Sequence, residues 1–236
     1  EPEKVLELEE ALDISALAET TDMLEEQGWK WEPAASGDGG TLTLQNCHIR
    51  CTDTGDGAVL KLPSGNVTIL LEGENTLETV YTNWDGMIVE ADWSSKSILH
   101  LTIREGKEGG RLNLLRGNTE QTSGNPYGIS GESLTILSGD IYTNTDLCMV
   151  DEFDMQDGSL TVDAANVTDC TGIYADLGVD ISGGVVTIKS GSAGIFVPGI
   201  AQGGDKTVAI TGGEVTISSA VGINGNSVLI DTDGSV

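Results

Sequence analysis

Five segments of this chain repeat one short pattern. Leu134-Thr-Ile-Leu-Ser-Gly139-Asp-Ile-Tyr-Thr143 recurs as Phe153-Asp-Met-Gln-Asp-Gly158-Ser-Leu-Thr-Val162, Val179-Asp-Ile-Ser-Gly-Gly184-Val-Val-Thr-Ile188, Val208-Ala-Ile-Thr-Gly-Gly213-Glu-Val-Thr-Ile217 and Val228-Leu-Ile-Asp-Thr-Asp-Gly234-Ser-Val236. The anchoring glycines stand 19, 26, 29 and 21 residues apart. A loose period near two dozen residues points to a solenoid, whose units cannot bury an apolar face alone and must stack on their neighbours. Within each unit apolar and polar residues alternate, as at Val179, Ile181, Val186 and Ile188 around the Ser182-Gly183-Gly184 turn, and period two means strand. A third short strand opens several units, at Tyr127-Gly-Ile129, Thr171-Gly-Ile-Tyr174, Ala193-Gly-Ile-Phe196 and Val221-Gly-Ile223. Three strands and three turns then fill one coil, and coils stack in parallel about 4.8 Å apart. A Greek-key sandwich has regular strands too, but does not require the same small-residue turn at the same place in every unit. The expected fold is all-β: a right-handed single-stranded parallel β-helix, roughly three short strands per coil, with an N-terminal cap. The right hand follows from the dominance of right-handed crossovers between parallel strands. The strict six-residue periods of short-repeat left-handed helices are absent.

Earlier repeats diverge. Leu42-Thr-Leu44 with Ile49 and Cys51, Val67-Thr-Ile69, Leu99-His-Leu101-Thr-Ile103 and Gly110-Arg-Leu112-Asn-Leu114 read as the same element with insertions. Connections from Glu72 to Asp85 and from Arg116 to Asn125 are expected to leave the barrel as surface loops, where binding residues concentrate. Residues 1–28 do not repeat and are assigned to the cap that a solenoid end needs, leaving 29–236 as the repeat domain. Within the cap, residues 1–10 are acidic and helix-permissive, Leu12-Asp-Ile14-Ser suits a strand, and Thr21 to Glu26 suits a helical turn. Trp29 and Trp31 are expected to seal the cap against the first coil. The chain ends inside a repeat, so either the natural protein continues or another chain covers that end.

With 38 Asp and Glu against 11 Lys and Arg, the formal charge is −27. That excludes nucleic acid and anionic membrane surfaces as electrostatic partners. Carboxylates on exposed strands keep such a protein soluble and discourage edge-to-edge association, and divalent-cation binding is the alternative use of them. No apolar run reaches bilayer-spanning length, so no membrane insertion is expected; no cleavable signal opens the chain, and a trimmed secreted protein is favoured over an unprocessed soluble one. Cys47 and Cys51 are too far apart along one strand to bond. Cys148 and Cys170, 22 residues apart, read either as buried free thiols or as a disulfide between adjacent coils.

No phosphate loop, nucleophile elbow or paired-histidine metal motif is present, and His48 and His100 stand alone. An enzyme on this scaffold would be a polysaccharide lyase or hydrolase with a basic residue beside a carboxylate cluster. Lys189, Arg104, Arg111 and Arg116 are not placed beside stacked aspartates. The metal candidates are Asp154 and Asp180, which hold the same outward position in consecutive units, with Glu152 and Asp176 near a second shared position. Like charges about 4.8 Å apart repel, and calcium, which prefers hard oxygen ligands, would relieve that and bridge to an acidic sugar. The competing reading leaves both carboxylates in water; Asp53-Thr-Gly-Asp56-Gly and Asp231-Thr-Asp233-Gly are explained by turn chemistry. The ligand candidates are Tyr174 and Phe196, with Ser130 and Asn224 at the equivalent position of neighbouring units. Outward aromatics suit stacking on sugar rings, or pack on one another.

Gly28-Trp-Lys-Trp31, Thr41-Leu-Thr-Leu44, Gly65-Asn-Val-Thr-Ile-Leu-Leu-Glu-Gly-Glu-Asn75, Thr171-Gly-Ile-Tyr-Ala-Asp176 and Ile181-Ser-Gly-Gly-Val-Val-Thr-Ile188 resemble the repeats of large surface proteins of Gram-positive gut anaerobes, of the carbohydrate-binding-domain or adhesin type with a β-helix. The resemblance spans nearly all of residues 28–236, and Trp-x-Trp followed by Leu-Thr-Leu is its most specific part. It implies a secreted or wall-associated, non-catalytic protein whose partner is a polysaccharide or a host or cell-surface glycan, and it supplies no ligand-binding residues. The expected function is therefore an extracellular module that binds carbohydrate or mediates adhesion, with no cofactor required and calcium, considered above, as an optional one. The alternative is a structural stalk that sets distance from a surface; a β-helix lyase or hydrolase comes third.

Overall fold

The computed structural model describes residues 3–52, 58–80, 87–91, 98–117, 127–198 and 207–231. Among them there is no helix, and the chain is all-β with mostly parallel pairing. In order the strands are β1 (Lys4–Leu8), β2 (Leu12–Asp13), β3 (Thr21–Met23), β4 (Trp29–Pro33), β5 (Gly40–Gln45), β6 (Cys47–Cys51), β7 (Leu60–Leu62), β8 (Gly65–Thr79), β9 (Met87–Ala91), β10 (Leu99–Arg116) and β11 (Tyr127–Ser130). There follow β12 (Ser133–Ile136), β13 (Asp140–Thr143), β14 (Asp146–Met155), β15 (Ser159–Ala164), β16 (Thr171–Ile181), β17 (Val185–Ser190), β18 (Ala193–Phe196), β19 (Thr207–Ile210), β20 (Glu214–Ser218), β21 (Val221–Asn224) and β22 (Ser227–Ile230).

All of these strands but β3 and β4 pair in three parallel ladders. The first joins β5, the leading halves of β8 and β10, β12, the trailing halves of β14 and β16, β19 and β22. The second joins β1, β6, the trailing halves of β8 and β10, β13, β15, β17 and β20. The third joins β2, β7, β9, β11, the leading halves of β14 and β16, β18 and β21. The chain visits first, second and third ladder in turn and returns to the first, so each strand pairs with its counterpart one repeat later. That connectivity is consistent with a β-helix or solenoid.

Strand alternation decides what lies inside. Leu134, Phe153, Val179 and Val208 form one column of directly opposed residues, and Ile136, Met155, Ile181 and Ile210 form the next. All eight are buried. Full burial of such a side chain stabilises by about 1.5–3 kcal/mol, and the columns continue along the core.

The repeating glycines mark the corner between the first and second ladders. Gly139, Gly158, Gly184 and Gly213 have φ of 98°, 89°, 78° and 78°. Ser159, Val185 and Glu214 donate their backbone N–H to the carbonyls of Gly139, Gly158 and Gly184, each at 2.9 Å. A side chain is excluded twice here: the left-handed backbone disfavours it, and a Cβ on Gly184 would lie 2.7 Å from the Gly158 oxygen. Earlier coils use Asn75 at this corner. Fully buried, it accepts from the Cys47 N–H at 3.2 Å and donates to the carbonyls of Glu72, Gly73 and Arg111.

The N-terminal region corrects two expectations. Residues 4–8 are a strand rather than helical: β1 lies parallel to β6, with Leu6 opposite Ile49 and Leu8 opposite Cys51. Leu6 and Leu8 are partly buried while Val5 is 61 % exposed, so the alternation serves an open edge of the second ladder. Residues 21–23 are strand β3, antiparallel to β4, which is itself antiparallel to β5. The expected strand at Leu12 is present as β2. Trp29 and Trp31 are buried; their indole N–H groups donate to Gln27 Oε1 at 2.7 Å and to the Leu17 carbonyl at 3.0 Å.

The connection expected from Glu72 is strand over residues 72–79, which belong to β8. Arg104, Arg111 and Arg116 lie in β10, which runs through the same corner with a register shift between Glu105 and Gly110; of the connection expected from Arg116 to Asn125, only Arg116, the last residue of β10, and Gly117 are described. The remainder of those connections, residues 81–86 and 118–126, together with Asp53 to Gly57 and Thr232 to Val236, lies outside the described residues. All four cysteines are buried free thiols. Cys148 faces Ile173 rather than Cys170, and burial pushes the Cys47 and Cys148 thiols up to about 12.

Candidate functional site

The outward side of the first ladder carries two rows. Ser133, Glu152, Gly178 and Thr207 stand opposite one another in sequence, as do Thr135, Asp154, Asp180 and Ala209. Where the rows reach Gly178 and Ala209 the side chains shorten, and a cleft of about 720 Å³ opens across four strands. Gln156, Leu177 and Ser182 complete its polar and apolar walls.

Asp154 and Asp180 are directly opposed on β14 and β16, as the repeat alignment predicts. Asp154 Oδ2 accepts a hydrogen bond from Gln156 Nε2 at 2.7 Å. The Asp180 carboxyl is raised above the ordinary carboxylate range, first by partial burial and then by the neighbouring Asp154 charge. Glu152 reaches the same cleft, but Asp176 does not share its position. Val150 faces Ala175 whereas Glu152 faces Gly178, so β16 carries one extra residue and Glu152 meets glycine. Asp176 instead accepts from the Tyr174 hydroxyl at 3.2 Å. Its charge also acts on Asp151, whose carboxyl is raised by burial first and then by Glu132, Asp176 and Glu152. The described residues contain no group of three or more His, Cys, Asp or Glu side chains arranged to hold a metal ion.

The aromatic candidates lie on the third ladder, away from the cleft. Their outward row runs Ser130, Met149, Tyr174, Phe196, Asn224. The Tyr174 and Phe196 rings pack at 5.7 Å between centroids, tilted by 51°, within the range of favourable aromatic pairs. Both are half-buried, Asn224 is exposed and Ser130 is only 2 % exposed. Burial, with the Asp176 charge beside it, raises the Tyr174 hydroxyl to about 12.

Sequence reasoning missed most of the cleft wall. Thr135 and Ala209 occupy the repeat position of Asp154 and Asp180, so tabulating every outward position would have found them. Ser133 also belongs to this wall, and His100 Nδ1 lies 2.9 Å from its Oγ. Among the described residues the cleft lining contains no Lys or Arg; Lys189 stands on the second ladder opposite Asp163.

A second polar cluster is buried at the corner between the second and third ladders. Asp146 is 5 % exposed and accepts from the Thr171 N–H at 3.1 Å. Burial raises its carboxyl to about 7, against the opposing pull of the Cys170 thiol, the Thr171 N–H and the Arg116 charge. Asn144 brackets the Arg116 backbone, accepting at 2.8 Å and donating at 3.0 Å. This cluster is enclosed and structural in character.

Comparison of the chain with protein-family models, curated proteins and solved structures finds no significant match.

Proposed function

We propose that this chain is an extracellular or cell-wall-associated, non-catalytic module that binds carbohydrate or mediates adhesion. In this reading residues 29–236 form a right-handed parallel β-helix, and residues 1–28 cap it while adding β1 and β2 to two of its ladders. The observation that carries the reading is the open first-ladder cleft. Its wall offers hydroxyls at Ser133, Thr135, Ser182 and Thr207, an amide at Gln156 and carboxylates at Glu152, Asp154 and Asp180. Sugar hydroxyls need donors and acceptors in that mixture, while Leu177, Ala209 and the bare backbone at Gly178 leave an apolar floor for ring C–H groups.

Gly178 supplies the test. A Cβ there would meet only the Thr207 oxygen, at 3.4 Å, so Gly178→Val fills the cleft floor with a residue that suits a strand. A glycan-array screen is expected to show binding by the wild type and its loss in Gly178→Val at unchanged thermal stability. Equal binding by both proteins would remove the cleft from the reading. Repeating the screen with a chelator tests calcium directly, since dependence would return attention to Asp154 and Asp180.

A second reading, a structural spacer, is favoured by the mutual packing of Tyr174 and Phe196, which turns the aromatic row toward itself. Silence across the array, with and without calcium, would support it.

A further inference from the structure

We infer that the first-ladder cleft takes uncharged glycans and rejects anionic ones, with Glu152, Asp154 and Asp180 setting that selection; this rests on the carbohydrate-binding reading above. The concavity and its hydroxyl-bearing wall make the site, and the carboxylates make its charge preference. Three of them line one cleft, and the described lining residues include no Lys or Arg. The basic side chain hydrogen-bonded to this wall is His100, which sits on Ser133 at the rim. Asp154 and Asp180 stand directly opposed, and the Asp180 carboxyl is raised by its partial burial and then by the Asp154 charge. A uronate or sulfate ester entering the same space adds a fourth negative charge to these three, where partial burial weakens screening.

Neutral sugars meet the opposite response. A carboxylate accepts sugar O–H groups in charge-assisted hydrogen bonds, roughly twice as strong as neutral ones. Gln156 holds Asp154 by one oxygen, which fixes the carboxylate plane and leaves the other oxygen to face a ligand. The hydroxyls of Ser133, Thr135 and Thr207 donate to or accept from the remaining sugar oxygens. Each polar type on the described wall thus has a use toward a polyol, and none of the described lining residues compensates an anion.

The experiment compares glycans in matched pairs that differ only in charge, such as polygalacturonate oligomers and their methyl esters, or neutral oligosaccharides and their sulfated forms. Binding is read at pH 8, with calcium and with chelator. The wild type is expected to bind neutral members at least about tenfold tighter than their anionic partners. The Glu152→Gln/Asp180→Asn double variant is expected to narrow that ratio to within a few-fold, and Asp180→Asn alone to move it part of the way. Asp163→Asn/Glu214→Gln removes two charges from the second ladder instead and should leave the ratio as in the wild type. Anionic members bound as tightly as neutral ones, whether calcium is present or not, would overturn the inference while sustaining the carbohydrate-binding reading. A ratio unmoved by the double variant would overturn the assignment of these residues. Silence toward both members of every pair would overturn the carbohydrate-binding reading itself.

Discussion

Substituting alanine for Gly184 tests the physical basis of the stacked corner. Two costs add at this residue. Its φ of 78° is left-handed, which penalises an L side chain by about 1–2 kcal/mol. The new Cβ would also lie 2.7 Å from the Gly158 oxygen, 2.8 Å from Met155 Cε and 3.0 Å from the Asp157 carbonyl carbon. Two of those atoms are backbone of the preceding coil, so relief requires a backbone shift of the kind that costs about 1–3 kcal/mol. Gly184→Ala is therefore expected to lose about 2–5 kcal/mol. Gly37→Ala is the matched control, because Gly37 has nearly the same φ, 75°, but nothing within 4 Å of its Cβ position; only the about 1–2 kcal/mol conformational cost applies there. Urea unfolding followed by far-ultraviolet circular dichroism gives both values from midpoint and slope. Equal losses in the two variants would refute the claim that corner stacking, beyond backbone conformation, demands glycine.

Asp146 predicts a pH dependence. Its folded carboxyl titrates at about 7 against about 3.9 for an unperturbed aspartate, so the folded state keeps a proton that the unfolded chain releases. Its contribution is fully present below about pH 4 and is lost as pH rises to about 7, by an amount on the order of a few kcal/mol. Asp146→Asn should flatten that part of a stability-against-pH curve, and an unchanged slope would count against a neutral buried Asp146. Phe196→Ala should lower the thermal midpoint by removing an aromatic pair worth about 0.5–1.5 kcal/mol beyond its area, yet leave glycan binding intact; lost binding would move the site to the third ladder. Ellman's reagent should find no reactive thiol in the folded protein and four after unfolding without reductant, whereas fewer than four would reveal a disulfide.

The register of the later coils was legible because each repeat restates it. Val179 opposite Val208 and Ile181 opposite Ile210 follow from aligning the two strings by eye. The same alignment placed Asp154 opposite Asp180, since no insertion intervenes between those residues and their glycine turns. It failed for Asp176, because the extra residue in β16 falls between the two strands of one unit and no local composition marks it. The first strand was misread for a different reason: Glu, Lys and Leu favour helices weakly, and the free edge of β6 overrides that preference. The loop expected from Glu72 was misread because β8 turns at Gly73 from the first ladder into the second without a break in the strand. The cleft itself is a property of several outward rows at once, created by what is small at Gly178 and Ala209 rather than by any motif.

The ladders also say how this molecule would respond to a load. Strands inside the ladders, such as β14 and β16, are hydrogen-bonded to the units before and after them, while consecutive strands within a unit are joined by covalent chain. Tension applied at a chain end therefore peels one unit at a time, leaving those beyond it in register. A unit of 19 to 29 residues, extended at about 3.3–3.6 Å per residue, releases roughly 65–100 Å of chain for about 4.8 Å of height surrendered. Such a body lengthens stepwise under tension.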